Sequence, residues 1–186
     1  MNKKNKSLKV LPFVIVLLVA IALIVRANMG FPQNQRIEET SLNEYLDLND
    51  ISIMVTDKKI AKKDADGFPI AAINFCIKNN TSKDMDLSHG SELITLFRGF
   101  KNGIIQNLDY GIDDESNNFP IYDDKDLIIG PNEAKEYVFY FYLSKDESTD
   151  KNFIYIDKTL YEDDFNNCLE NGTILYKTIA LGAFDE

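Results

Sequence analysis

The chain has 186 residues, yet it holds no tryptophan, one histidine and two cysteines. Each scarcity removes a class of chemistry. Without tryptophan the strongest platform for stacking sugars is missing, which argues against glycoside hydrolysis. Zinc wants three or four nitrogen, sulfur or carboxylate ligands, and one histidine with two distant cysteines is a poor set. His89 lies in DLSHGSE with Asp86, Ser88 and Ser91. A catalytic triad is defined by three-dimensional roles rather than by sequence neighbours, so this string reads as a turn. No nucleophile-elbow motif occurs either. The first 27 positions contain no acidic residue, and no cysteine lies near the apolar run found there. A lipid-modified cysteine at that junction is thereby excluded.

That run, Leu8 to Val25, is LKVLPFVIVLLVAIALIV. Lys3, Lys4, Lys6 and Lys9 precede or enter it, and Arg26 closes it. Its length meets the minimum for a membrane span, about 17–25 apolar residues. The lysines keep the N-terminus cytoplasmic by the positive-inside rule. The expected organisation is a cytoplasmic basic tail (1–7), a transmembrane signal-anchor (8–25), a juxtamembrane linker with a short helix (26–49) and an extracellular domain (50–186). The alternative is secretion after cleavage near Ala27. Residues 28–186 keep 15 basic against 30 acidic residues, a net charge of −15. Phosphate backbones repel such a body, so no nucleic-acid partner is expected.

The short helix rests on Ser41-Leu42-Asn43-Glu44, which fits a capping box. From Asp50 onward the apolar period becomes two, the signature of strands. Ile51, Ile53 and Val55 alternate with Ser52, Met54 and Thr56, and Asp66-Gly67 suits a tight hairpin. Further strands are expected over 69–78, 92–100, 104–108, 127–129, 136–143, 153–156 and 173–181. Seven or eight short strands separated by turns indicate an antiparallel sandwich. No internal repeat occurs, and no long helical period beyond the apolar run.

Three strings carry a family resemblance: DADGFPIAAINFCIKNNTS, FKNGIIQNLD and LIIGPNEAKEYVFYFYL. Their order and spacing resemble immunoglobulin-like domains of unknown function on secreted, lipid-anchored or single-pass surface proteins of Gram-positive bacteria. The resemblance implies an immunoglobulin-like sandwich at the cell surface; with the apolar run, the expected fold is an all-β, immunoglobulin-like antiparallel β-sandwich preceded by one N-terminal transmembrane helix. It implies no catalytic residue.

Candidate site residues follow from local chemistry. In EYVFYFYL, Tyr137, Phe139, Phe141 and Leu143 share one face, and Val138, Tyr140 and Tyr142 the other. If the first face is core, Tyr140 and Tyr142 present flat area with polar tips, a composition enriched at interfaces. Calcium takes about 6–8 oxygen ligands, and Asp113, Asp114, Asp123, Asp124 and Asp126 are candidates, although no D-x-[DN]-x-[DN]-G loop is present. A solvated acidic rim is the plainer reading. Cys76 and Cys168 are either free or bridged. A bridge would close a loop of about 90 residues and add up to roughly 4–5 kcal/mol. Asn79-x-Thr81 and Asn171-x-Thr173 match the glycosylation acceptor pattern. The expected function is a non-catalytic, membrane-tethered, extracellular protein-binding domain, as a subunit of a surface complex or an immunity factor. Its partner would be an envelope or membrane protein. The alternative is an envelope structural or sensory protein responding to calcium or wall polymer.

Overall fold

The structure is a computed structural model that describes residues 14, 16–26, 31–32, 34–64, 66–88, 93–100, 105–108, 125–143 and 148–184. Two sheets pack on one core. The first contains β1 (Asn34–Thr40), β6 (Ile94–Phe100), β7 (Ile105–Leu108), β10 (Ser148–Ile156) and β11 (Thr173–Ala180), in the order β1-β11-β10-β6-β7. The second contains β2 (Leu46–Asp47), β3 (Ile51–Lys63), β4 (Pro69–Asn79) and β9 (Ala134–Tyr142), in the order β2-β3-β4-β9. A small pair, β5 (Met85–Asp86) with β8 (Ile128–Ile129), closes one end. The protein is a β-sandwich.

The period-two pattern decides which side chains meet. Ile53, Val55, Ile73, Phe75, Tyr137, Phe139 and Phe141 point inward from the second sheet. Leu96, Ile154, Ile156, Leu175 and Ile179 meet them from the first. Phe75 and Phe139 pack with ring centroids 5.0 Å apart. The β3–β4 hairpin forms as expected: Gly67 has φ +81°, and Asp64 accepts from the Phe68 amide through Oδ1 at 2.7 Å. Glycine adopts that φ without steric cost.

Asn79 ends β4 fully buried and holds the small pair to the sandwich. Its Nδ2 donates to the carbonyls of Lys83 (2.7 Å), Ile129 (3.0 Å) and Gly130 (3.1 Å). Its Oδ1 accepts from the amide and the hydroxyl of Thr81, both at 2.8 Å. Every polar atom of a buried amide is therefore used, as burial requires. The Asn79 side-chain nitrogen, which matches the glycosylation pattern but is expected to be unmodified, is enclosed and engaged.

Three expectations for the flanks change. Asn34–Thr40, read as linker, is a strand that pairs parallel with β11 from Asn34↔Thr173 to Thr40↔Ile179. Its side chains are mostly exposed, so no apolar period marks it. The capping-box residues make a turn rather than a helix. Glu44 Oε2 does accept from the Ser41 amide (3.0 Å), but Asn43 turns left-handed at φ +65° and the chain enters β2. Local carboxylate-to-amide bonding serves turns as well as helices.

Residues 158–170 hold helix instead of irregular chain: a 3-10 turn (Lys158–Tyr161) runs into a nine-residue α-helix, Glu162–Glu170. Asp157 caps the turn by accepting from the Thr159 amide at 2.9 Å. Glu162, Asp163 and Asp164 lie in the first helical turn, where the dipole favours them. Gly172, at φ +71°, ends the segment.

Residues 16–26 are helical, with Val16, Leu17, Leu18, Leu23 and Ile24 at least 60% exposed. Among the described residues no helix is long and apolar enough to cross a membrane. Positions 8–13 and 15 of the expected span lie outside the described residues.

Candidate functional site

A cleft of about 470 Å³ opens at the seam where β1, the edge strand of its sheet among the described residues, comes beside β2 and the start of the helix. Ile37, Glu38, Glu39 and Thr40 form one wall, Leu46, Asp47 and Asn49 another, and Asp164 and Lys177 the floor. Lys177 lies on β11 in register with Leu175 and Ile179, so its stem enters the sandwich and its side chain is only 4% exposed. A buried ammonium needs partners. Its Nζ donates to the Asp47 carbonyl (2.8 Å) and to Asp164 Oδ2 (2.8 Å), with Glu38 Oε2 at 3.6 Å. The face of Tyr161 lies 5.3 Å below it. Glu38 is shared with Arg36 at 2.7 Å.

Tyr161 explains how the floor is built. Pairing of β10 with β11 stops at Ile156↔Lys177. Beyond that point the Tyr161 hydroxyl takes over, accepting from the Lys177 amide and donating to the Leu175 carbonyl, both at 3.4 Å. Burial raises the tyrosine pKa well above its ordinary value, so the hydroxyl stays a donor. Four carboxylates line the cleft, Glu38, Glu39, Asp47 and Asp164, against one lysine, which is engaged by those of Asp164 and Glu38.

The outer faces carry aromatic residues. Tyr140 is half-buried and Tyr142 37% exposed on the outside of the second sheet, the side expected for both. They stand opposite Ala72 and Ile70, which are themselves buried on that outer face. The two tyrosines are thus partly a cover for this sheet. On the outside of the first sheet Phe97 stacks on Phe153 at 5.4 Å and meets Tyr155 edge-on at 6.0 Å. Sequence reading missed this ladder and also the Lys177 cluster. The signal for Lys177 was a lysine at an inward position of an otherwise apolar strand, a placement rare without partners.

Of the calcium candidates, Asp113, Asp114, Asp123 and Asp124 lie outside the described residues, as does His89. Asp126 sits in the turn before β8, where its carbonyl accepts from the Tyr137 hydroxyl at 2.9 Å. Among the described residues no group of three or more histidine, cysteine or acidic side chains is arranged to hold a metal ion. Cys76 and Cys168 are both free, which corrects the bridged alternative. Cys76 lies on the outer face of β4 with its sulfur 3.2 Å from the Tyr45 hydroxyl, whereas Cys168 packs from the helix against the core. The hydrogen bond to Cys76 raises the Tyr45 pKa. The unfolded protein is accordingly expected to titrate two thiols without reductant, and reductant to leave the melting temperature unchanged. A reductant-dependent drop would show a bridge.

No protein-family model matches the chain, and no curated protein matches it. Three solved structures are similar to it. One is an uncharacterised β-sandwich protein from Clostridium difficile 630, at 14% identity and TM-score 0.47, covering 78% of this chain and 96% of that one. A candidate lipoprotein from Staphylococcus aureus subsp. aureus NCTC 8325 aligns at 13% identity and TM-score 0.48, covering 75% and 99%. A candidate lipoprotein from Bacillus subtilis subsp. subtilis str. 168 aligns at 13% identity and TM-score 0.43, covering 60% of this chain and 32% of that one.

Proposed function

We propose that this chain is a membrane-tethered, extracellular, non-catalytic domain that binds another protein of the membrane or envelope. The observation that carries the reading is the open cleft between the two sheet edges. It is a concave surface with charged walls, and its one lysine is spent on structural contacts rather than presented to a substrate. The immunoglobulin-like class is supported by connectivity. Strands β3, β4 and β9 form one layer and β7, β6, β10 and β11 the other, with the chain crossing between layers after β4, after β7 and after β9. Tethering through residues 8–25 is supported by the apolar run with its basic flank. The outward apolar side chains of 16–26 add to this, since water does not favour such a surface.

A tether raises the effective concentration of the domain against partners on the same membrane. The test is crosslinking of the C-terminally tagged full chain in native membranes. One co-purifying protein at near-equal amount is expected. Recovery of the tagged chain alone, at several crosslinker lengths, would overturn the reading. Tyr142→Ala is expected to weaken that association and, because it uncovers Ile70, to lower the melting temperature by about 2–6 °C. An unchanged association would remove Tyr142 from the contact.

A further inference from the structure

The open edge of β1 is a regular one. Its ladder to β11 runs seven residues without a register shift. The Asn34 amide donates to the Gly172 carbonyl at 3.3 Å, so Asn34 turns its backbone toward β11. In a parallel ladder alternate residues turn both backbone groups to the same neighbour. Arg36, Glu38 and Thr40 therefore also face β11, and Gln35, Ile37 and Glu39 present their amides and carbonyls outward. Among the described residues no strand pairs with that edge. Ile37, 63% exposed, and Glu39 stand along the same edge, and both line the cleft. The Thr40 hydroxyl oxygen, also in the cleft wall, is enclosed and has no hydrogen-bond partner.

Unpaired backbone on a regular edge is a template for an added strand. The charge around it selects what is added. Glu38, Glu39, Asp47 and Asp164 line the cleft; Lys177 and Arg36 pair with Asp164 and Glu38, which leaves the charges of Glu39 and Asp47. A second copy of this chain would bring another body of net charge −15 against the first, which opposes self-pairing. We propose that β1 and the cleft beside it are a docking site for an extended, basic polypeptide segment of the partner. The segment adds a strand along Gln35–Glu39 and sets lysine or arginine side chains against Glu39 and Asp47. This deepens the protein-binding reading and rests on it.

The test uses the full chain in detergent micelles and, as probe, a short peptide of alternating lysine and valine. An alternating glutamate and valine peptide is the control. The basic peptide is expected to bind saturably and to slow amide exchange at Gln35, Ile37 and Glu39. Ile37→Pro removes an outward amide while the bonds from residues 34, 36, 38 and 40 to β11 remain. Proline is tolerated at such edge positions. It leaves every charge in place, and it is expected to weaken binding about tenfold or more. Glu39→Lys, at an exposed site, is expected to weaken it as much and to reduce its salt dependence.

Equal binding by Ile37→Pro, or equal binding of the acidic peptide, would overturn the proposal. So would a dimer of the full chain that Ile37→Pro dissolves, since the occupant would then be a second copy. If crosslinking in membranes recovers a partner and Ile37→Pro does not diminish it, the edge is wrong and the protein-binding reading stands. If neither peptide nor partner binds, both fail.

Discussion

Asn79→Ala is expected to lower stability by about 3 kcal/mol, a drop of roughly 6–12 °C in melting temperature for a domain of this size. The side chain is fully buried and its hydrogen bonds are all local to the junction of β4 with the β5–β8 pair. Truncation strands the carbonyls of Lys83, Ile129 and Gly130, and a buried group left unsatisfied costs more than an average bond contributes. Thr81→Ala, which removes one of these contacts and leaves the Nδ2 donors in place, is expected to cost about 1 kcal/mol. Thermal or urea unfolding of the three proteins checks the order. A loss below about 1 kcal/mol for Asn79→Ala would mean that water replaces the amide and that the junction is not enclosed.

The second large effect is at Lys177. Lys177→Met keeps an apolar stem of similar length but removes the charge that faces Asp164, Glu38 and the Asp47 carbonyl. Breaking a fully buried pair costs about 3–5 kcal/mol. Here the Asp164 and Glu38 side chains are 41% and 34% exposed and can rehydrate, so the expected loss is about 2 kcal/mol. Lys177→Ala also deletes three buried methylenes and is expected to lose about 4 kcal/mol in all. The double variant Lys177→Met with Asp164→Asn should lose less than the sum of its parts, because the two groups touch. Strict additivity in urea unfolding would show that the contact contributes nothing.

Much of the sandwich was legible because its signal is local. A strand with one face in the core must alternate, and 51–55, 69–78 and 136–143 do. The inward set Tyr137, Phe139, Phe141 and Leu143 is the buried set. The missed elements lack that signal for identifiable reasons. β1 buries no side chain, and its backbone pairing to β11 leaves no mark on composition. The helix 162–170 buries no residue fully, and its Asp and Asn residues disfavour helix interiors, so its tertiary contacts decide its form.

The cleft was invisible for a further reason. Glu38 and Asp47 come from one end of the chain and Asp164 and Lys177 from the other, and only the pairing of β1 with β11 and the placement of the helix bring the two segments together. Tyr140 and Tyr142 could be assigned to the outer face from alternation alone, but the burial of Ile70 and Ala72 beside them depends on strand register.

In the proposed function, β1 and its acidic cleft hold the protein partner. A photoreactive amino acid in place of Gln35, an exposed and uncharged position of the same edge, probes this in the full chain in native membranes. One discrete protein adduct is expected, mapped to a basic extended segment of the partner and absent when Ile37→Pro is added. No adduct, or adducts to lipid alone, or an adduct indifferent to Ile37→Pro would contradict it.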